Sequence, residues 1–383
     1  MPAGVPRGHG LPSLESDSGT AGASGRATTV AALAGLIGFA LLLRLALFQG
    51  FQGGDDGTYI FDAHLLAQGH FVPHSNQWDV RIGIIAPLAL VILLFDLHTW
   101  SVALYPLLLS LLSLPLIYAL GAVLWRRDVG LLAALLLACF PQDIYYATMP
   151  YPDQIGAFYG ALAVLLALLS RASAAAGRRG GLAALCGLTL VGSYLTRETN
   201  LVFVPICLLA AWQGEVGDNG RRTAIILAIV VAALAVESLV YRQITGDPLF
   251  RLQAIRHHTG GLHSVSPLQY LLRWPAVLLN PGYPQTFLYV LLSFWSMLAL
   301  RRCAAQPQEQ FLLIWLLGIL AIFAFAIISL HPLTPLLEVE PRYLSVVAYP
   351  AILLIARALW QTYARGTARL DSRAAATKVG QRA

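Results

Sequence analysis

Long apolar runs recur along the whole chain, and they constrain its fold more than any other feature of the sequence. They lie at about 29–48, 82–97, 99–124, 128–141, 154–170, 181–196, 198–213, 223–241, 286–300, 311–330 and 343–361. In hydrocarbon such runs must be helical, because lipid offers no hydrogen-bond partner to an open backbone. The chain is 57% hydrophobic and only 11% charged, whereas soluble domains average about a quarter charged. The sequence therefore predicts an all-α polytopic membrane protein.

Basic residues between the runs predict the topology. They lie at Arg126-Arg127, Arg171 with Arg178 and Arg179, Arg221-Arg222, Arg301-Arg302 and in the tail from Arg365 to Arg382. The positive-inside rule places these groups in the cytoplasm. This assignment requires that 82–97, which is short and contains Pro87, lies in the outer leaflet without crossing. The prediction is ten crossings with both termini cytoplasmic, and eleven crossings are the alternative.

The apolar runs define one membrane domain, 29–361, between two polar tails. Residues 1–28 are rich in Gly, Ser, Ala and Pro, and we expect a disordered cytoplasmic tail there. The first run is about long enough to cross a hydrocarbon core of about 30 Å, so we interpret it as a retained span. Residues 362–383 are predicted to form a basic cytoplasmic tail.

Composition also excludes some classes of protein. The net charge of +6 comes from residues scattered through short loops, which is typical of membrane topology rather than of nucleic-acid binding. The four cysteines show no spacing that predicts a disulfide framework or a metal site. A high content of Ala, Gly, Leu and Arg is typical of a GC-rich prokaryotic source, which favours the plasma (inner) membrane and an undecaprenyl-type lipid carrier.

Two predicted outward loops, 49–81 and 242–285, hold most of the reactive polar groups. In the first loop, Gly53-Gly54-Asp55-Asp56-Gly57-Thr58-Tyr59 precedes a helical pattern in which Tyr59, Ala63, Leu66 and Ala67 share one face, opposite Asp62 and Gln68. This pattern predicts an amphipathic interfacial helix that ends at Gly69. The second loop carries Arg251, Arg256, His257, His258, His263 and Arg273.

The order of several short motifs resembles a known family over about 30–361. After the acidic pair come Arg81-Ile82-Gly83 with Pro87, Phe140-Pro141 leading to Pro152-Asp153, Leu195-Thr196-Arg197-Glu198, and Pro341-Arg342-Tyr343. This combination is similar to polyprenyl-phosphate-sugar-dependent membrane glycosyltransferases of the GT-C fold, the superfamily of the protein O-mannosyltransferases and aminoarabinose transferases. The chain departs from that family in having Asp-Asp where Asp-Glu is common, and in lacking a Lys-Pro-Pro or His-Pro-Pro element near Arg81. The resemblance implies a GT-C-like bundle of about 10–11 transmembrane helices.

The resemblance also implies a reaction and its catalytic residues. Transfer of a sugar from a polyprenyl phosphate to an acceptor hydroxyl needs a carboxylate base, cations for the departing phosphate and a groove for the lipid. Asp55 aligns with the catalytic aspartate of the family, so we assign it as the base of an inverting single displacement. Asp56 either supports catalysis, together with Asp55 at a possible divalent cation, or only caps the helix.

The predicted substrate-binding residues each have a structural alternative. They are Arg81, Asp153, Arg197, Arg342, Tyr343, His257 and His258. Arg81 either binds the donor phosphate or anchors to lipid headgroups. Asp153 either binds a substrate or caps a helix. The alternatives for the other arginines are local pairs, Arg197 with Glu198 and Arg342 with Glu338 or Glu340. Arg44 is interpreted as snorkelling to headgroups.

Two other functions compete with this hypothesis. A ligase or polymerase of lipid-linked glycans would use His and Arg residues of an outer loop such as 242–285. A lipid or sugar transporter would need ionisable groups near the bilayer midplane, where the predicted spans have few. The acceptor (lipid, glycan or protein) and the donor sugar are left open.

Overall fold

The computed structural model describes residues 20–74, 76–212, 216–259, 265–280, 306–335 and 340–380, with isolated positions between 286 and 297. Its helices are α1 (Thr20–Ala46), α2 (Asp55–Ala67), α3 (Ile82–Phe95), α4 (Thr99–Leu124), α5 (Arg127–Ala138), α6 (Pro141–Tyr146), α7 (Pro152–Ala172), α8 (Ala176–Thr196), α9 (Phe203–Trp212), α10 (Val216–Thr245), α11 (Phe250–Thr259), α12 (Pro267–Leu278), α13 (Pro307–Phe325) and α14 (Ser345–Gly380). Short 3-10 turns cover Glu198–Val202 and Pro341–Leu344, and strands β1 (Ile327–Leu330) and β2 (Leu333–Pro335) pair as an antiparallel hairpin. Apart from this hairpin the described chain is helical, which confirms the predicted fold class.

Six helices of the described chain are long and apolar enough to cross a membrane. They are Gly25–Ala46, Thr99–Leu124, Pro152–Ala172, Asn219–Thr245, Pro307–Phe325 and Pro341–Ala368. Helix α3 has only 14 residues, which extend about 21 Å, less than a hydrocarbon core of about 30 Å. Its length favours an outer-leaflet position. The number of crossings and their direction stay predictions.

The bundle is built around α7. This helix packs most extensively on α8, and it also contacts α4, α9 and α14. Small residues on α7 allow these close approaches: a Cβ atom at Gly160 would come within 2.3 Å of the Phe203 ring, and one at Gly156 within 1.9 Å of the Asn200 side chain. The apolar core extends along α7 and ends toward Asp153, at the start of the helix.

The predicted interfacial helix is present in the first loop. Helix α2 packs on α3, with Tyr59 and Ala63 fully buried, and Gly69 follows it with a φ of +74°. The prediction for Asp62 was wrong, because this residue is 5% exposed rather than on the solvent face. Asp62 turns inward toward the Asp79 carboxylate, which interacts with it.

The termini of the described chain differ from the predicted tails. Helix α1 begins at Thr20, inside the segment 1–28 that was predicted to be disordered, because its alanines favour a helix that continues into the apolar run. Residues 1–19 lie outside the described residues. At the other end, α14 extends through the boundary at 361 as far as Gly380. The loop 242–285 contains α11 and α12, whereas His263 falls outside the described residues.

Candidate active site

Arg342 contacts three carboxylates, two of them from distant parts of the sequence. Its Nη1 donates to Asp55 Oδ2 at 2.9 Å, and its Nε lies 2.5 Å from Glu340 Oε2 and 3.7 Å from Asp153 Oδ2. Asp55 opens α2, Asp153 lies in the first turn of α7, and Arg342 lies in the turn before α14. The structure therefore brings Asp55 and Arg342 into direct contact.

Arg197 joins the same group of charges. Its guanidinium forms a buried ion pair with Asp153, and it lies 4.1 Å from the centre of the Tyr343 ring. Five predicted site residues are thus brought together: Asp55, Asp153, Arg197, Arg342 and Tyr343. We define the Arg342 cluster as Asp55, Asp153, Arg197, Glu340 and Arg342.

The local pairs considered from the sequence have different outcomes. Arg197 and Glu198 form ion pairs with other residues, Arg197 with Asp153 and Glu198 with Arg81. Arg342 does pair with Glu340, but that contact is one of three. Glu338 lies outside the residues that the structure describes. A turn between helices can project consecutive side chains in different directions, so adjacency in sequence was a poor guide to pairing here.

Aromatic rings enclose the Arg342 cluster. The guanidinium carbon of Arg342 lies 5.2 Å from the centre of the Tyr151 ring and 5.6 Å from that of Tyr343. Burial, followed by the nearby Asp56 carboxylate, raises the pKa of the Tyr151 hydroxyl to about 12. Tyr151 therefore stays protonated at neutral pH and can donate a hydrogen bond. Sequence reasoning did not select Tyr151; its position between Pro150 and Pro152, beside the predicted Asp153, was the available signal.

The two adjacent aspartates have different environments. Asp56 is fully buried, and its two oxygens accept hydrogen bonds from the backbone N–H groups of Gln52 and Gly54, each at 2.7 Å. Asp56 does not cap α2, since Gly54 occupies the N-cap position. The Asp55 side chain is 25% exposed. The accessible carboxylate of the pair is Asp55, and Asp56 orders the loop that presents it.

The arrangement does not fit the divalent cation considered for Asp55 and Asp56. The Asp56 oxygens are engaged by backbone donors, and Asp55 faces a guanidinium. Among the described residues, no group of three or more His, Cys, Asp or Glu side chains is arranged to hold a metal ion. We therefore derive no catalytic step through a metal.

Arg81 lies in a second, buried group of polar residues. It donates to the Tyr59 hydroxyl at 2.6 Å, to Gln77 at 3.2 Å and to Glu198 at 3.2 Å, and it is 3% exposed. These contacts favour a structural role over the predicted contact with a donor phosphate. They also exclude the headgroup anchor in this arrangement, because the guanidinium points into the protein.

Arg251 of α11 extends this second group, and sequence reasoning did not select it. Its Nε donates to Glu237 at 2.9 Å and its Nη2 to the Val80 carbonyl, while its Nη1 lies 4.0 Å from Glu198. Burial by itself would raise the pKa of Glu198, but nearby guanidinium groups, Arg81 first and then Arg197, lower it to about 2. Through its contact with the Val80 carbonyl, Arg251 connects the loop 242–285 to the segment that carries Arg81.

The first span is also tied to this end of the bundle. Arg44 is fully buried and forms an ion pair with Asp143, so the prediction of snorkelling was wrong. Its Nε donates to Ser110 at 2.6 Å. Asp143 in turn accepts from Gln154 at 2.5 Å, the neighbour of Asp153. A buried partner removes the need for Arg44 to reach the headgroups.

The predicted histidines are not brought into the Arg342 cluster by any described contact. His257 is exposed on α11, and the side chain of His258 lies outside the described part of the structure. Arg251, one turn and a half earlier on the same helix, is the residue through which α11 reaches the site region.

An apolar groove lies on the other side of α2 from Asp55. It encloses about 360 Å³ and is lined by Phe51, Gly57, Ile60, Phe61, His64, Leu97, His98, Thr99 and Val102. At 100° per residue, Ile60, Phe61 and His64 project 140–240° away from Asp55 around the helix. The groove therefore approaches the acidic pair at the N-terminal end of α2, through Phe51 and Gly57.

Comparison with known proteins connects this architecture to a class of enzymes. A sequence profile of the dolichyl-phosphate-mannose-protein mannosyltransferase family matches residues 83–241, a segment that includes Asp153 and Arg197. No curated protein sequence matches the chain.

Solved structures resemble nearly the whole chain. ArnT from Cupriavidus metallidurans in the apo state has a TM-score of 0.62 at 17% identity, covering 92% of this chain and 64% of ArnT. ArnT bound to undecaprenyl phosphate has a TM-score of 0.60 at 18% identity, covering 88% of this chain and 63% of ArnT. The Archaeoglobus fulgidus oligosaccharyltransferase in the apo form has a TM-score of 0.58 at 14% identity, covering 90% of this chain and 52% of the oligosaccharyltransferase. This chain thus spans between about half and two thirds of the length of these proteins.

These findings confirm the resemblance predicted from the motifs. The chain has the GT-C fold of membrane glycosyltransferases. Residues 83–241 are similar to the protein mannosyltransferase family, and the fold of the chain is similar to that of ArnT.

Proposed function

We propose that this protein is a membrane glycosyltransferase that moves a sugar from a polyprenyl-phosphate-linked monosaccharide to an acceptor hydroxyl. The observation that carries the proposal is the contact between Asp55 and Arg342 at 2.9 Å. It joins a partly exposed carboxylate, which can take the proton of the acceptor hydroxyl, to a partly exposed guanidinium, which can bind the donor phosphate. The fold of the chain supports the same class of reaction.

Four residues of the Arg342 cluster have a proposed part in the reaction. The acceptor oxygen attacks the anomeric carbon, its proton passes to the Asp55 carboxylate, and the bond from that carbon to the phosphate oxygen breaks. Arg342 stabilises the charge on the departing polyprenyl phosphate through paired N–H donors. A single displacement inverts the anomeric centre. Asp153, held by Arg197, aligns Arg342 and faces the sugar.

The apolar groove beside α2 is proposed to hold a lipid chain of a substrate. Its aromatic and aliphatic walls fit a polyprenyl tail, and its lining includes Phe51 and Gly57, which flank the acidic pair in sequence. One related structure is described as ArnT bound to undecaprenyl phosphate, and another is an oligosaccharyltransferase with a dolichol-phosphate. A polyprenyl phosphate is therefore the donor lipid that we propose for this chain.

We propose that the site faces the extracytoplasmic side of the plasma (inner) membrane. The proposal rests on the positive-inside rule, which assigns the basic loops to the cytoplasm, and on the Arg342 cluster lying at the other ends of the helices. A cysteine at the exposed position Phe51 should react with a membrane-impermeant maleimide added to intact cells, whereas one at the cytoplasmic position Arg365 should not.

The alternative of a glycan ligase differs in its dependence on α11 and its histidines. The main cation of that loop, Arg251, is buried against Glu237, which favours a structural part for it. A transporter would need charges that line a path across the bilayer, whereas the described ion pairs of the site region gather at one end of α1, α7, α8 and α14.

The experiment that tests the proposal is an assay of sugar release. Purified protein is incubated with a panel of polyprenyl-phosphate sugars, and products are compared between wild type and Asp55→Asn. Transfer that is present in wild type and absent in Asp55→Asn supports the proposal. Wild-type transfer that Asp55→Asn leaves intact, or lipid movement without any bond cleavage, would contradict it.

A further inference from the structure

The Asp55–Arg342 pair raises a difficulty for a reaction that needs both residues. A carboxylate bound to a guanidinium is a weaker proton acceptor than a free one, because the cation stabilises its charged form. A guanidinium bound to a carboxylate likewise has fewer N–H groups for a phosphate. The Asp55–Arg342 contact at 2.9 Å is therefore a resting arrangement, in which each side chain is bound by the other and is not available to a substrate.

From this contact we infer that the donor phosphate and Asp55 compete for Arg342, so that donor binding itself releases the catalytic base. The inference rests on the proposed function and adds the order of its steps. The base becomes available only when the leaving group is already bound. Such an order keeps Asp55 from taking a proton before the donor is bound.

Burial indicates which contact of Arg342 yields to an incoming phosphate. Asp153 is 4% exposed and also bound by Arg197, so it is fixed in place. Asp55 is 25% exposed, and the Arg342 side chain is 16% exposed. Glu340 is 38% exposed and contacts a different nitrogen of Arg342, Nε rather than Nη1. A phosphate that binds at Nη1 therefore displaces Asp55 and leaves Glu340 in place, and it offers two or three oxygens in place of one.

Tyr151 and Tyr343 support the exchange. Their rings lie against the Arg342 guanidinium, and the positive charge is attracted to their faces whichever anion is bound. The arginine thus keeps its position while its ligand changes. Asp55 is released at the start of α2, where the helix dipole and the exposed N-terminal turn accommodate a free carboxylate.

The test is a double-mutant cycle on binding, with radiolabelled undecaprenyl phosphate as the probe and undecaprenol as the neutral control lipid. Because the cycle measures binding rather than sugar transfer, it needs no sugar-bearing donor. Asp55→Asn should bind undecaprenyl phosphate about three- to tenfold more tightly than wild type, the range of a partly buried ion pair. Arg342→Gln should bind it at least tenfold more weakly. In the Arg342→Gln background, Asp55→Asn should bring no gain.

A gain from Asp55→Asn that persists without Arg342 would overturn the inference, since it would report only the removal of a negative charge. An unchanged or weakened affinity in Asp55→Asn, with Arg342→Gln still impaired, would overturn the competition but leave the proposed function intact. If wild type does not prefer undecaprenyl phosphate over undecaprenol, the proposed donor class fails, and the inference fails with it. Asp55→Ser provides a second variant if Asp55→Asn does not fold.

Discussion

Gly83, in the first turn of α3, lies directly against the backbone nitrogen of Thr196 at the end of α8. A Cβ atom at this position would come within 2.6 Å of that nitrogen. The approach matters for the site because Arg81 lies two residues before Gly83, and Glu198, its partner at 3.2 Å, lies two residues after Thr196. A glycine thereby sets the distance between two buried groups of opposite charge.

Replacing Gly83 by Ala should separate α3 from α8 and destabilise the protein by about 1–3 kcal/mol, the usual cost of overpacking. The midpoint of thermal unfolding in detergent measures the effect. Gly181→Ala is the matched control, because Gly181 lies inside α8 with no atom within 4 Å of its Cβ position. That change should be neutral or slightly stabilising. Equal effects of the two substitutions would show that the close contact does not matter.

Asp55→Asn should reduce sugar transfer by about 10²–10⁴-fold, the usual contribution of a general base. The amide keeps the size of the side chain but cannot take the proton. Initial rates at saturating donor measure this loss, and an unfolding midpoint close to that of wild type would show that the fold is retained. Activity within threefold of wild type would rule out Asp55 as the base.

Asp153→Asn should destabilise the fold by about 3–5 kcal/mol, since it leaves the Arg197 guanidinium buried without its carboxylate. Both side chains of this pair are at most 8% exposed. Asp128→Asn is the matched control: Asp128 pairs with Arg126 on the surface, where the side chains are 41% and 57% exposed. The control should cost at most about 1 kcal/mol. Chemical denaturation of both variants measures the free energy of unfolding. Similar losses in the two variants would mean that Asp153 does not stabilise the buried guanidinium of Arg197.

Stability should fall as the pH rises toward neutrality, because of Asp62. Burial, followed by the nearby Asp79 carboxylate, raises the pKa of Asp62 from 3.8 to about 7. Between these values the folded protein holds a proton that the unfolded chain releases, so the free energy of unfolding decreases with increasing pH. Unfolding midpoints measured from about pH 4 to pH 8 should decline, and Asp62→Asn should remove that part of the decline. Asp96→Asn, at an exposed carboxylate, should leave the slope unchanged.

The sequence was most informative where a physical constraint acts locally. Apolar length predicted the helical membrane domain, and helical spacing with Gly69 predicted α2. The motifs assigned Asp55, Asp153 and Arg342 to one site, because their order along the chain resembles that of a known family. Local pattern could not predict which charges pair.

Pairing depends on how helices that are distant in sequence pack together. Arg44 lies in an apolar run and resembles a snorkelling residue until Asp143, a residue of α6, is brought against it. Asp62 has the spacing of an exposed residue until Asp79 and the loop before α3 cover it. Arg251 was only one of several basic residues in a long loop, and the α10–α11 packing gave it a buried partner.

The partners Arg44 and Asp143 are separated by 99 positions, and this spacing bears on how the protein is made. A ribosome adds roughly 5–20 residues per second, so the first helix must wait several seconds with a charged group that lipid disfavours. During that interval the insertion machinery, rather than the bilayer, is the better environment for it. The ion pair can therefore form only after α6 has been synthesised, so the first helix gains the buried partner of its charge late in the synthesis of this part of the chain.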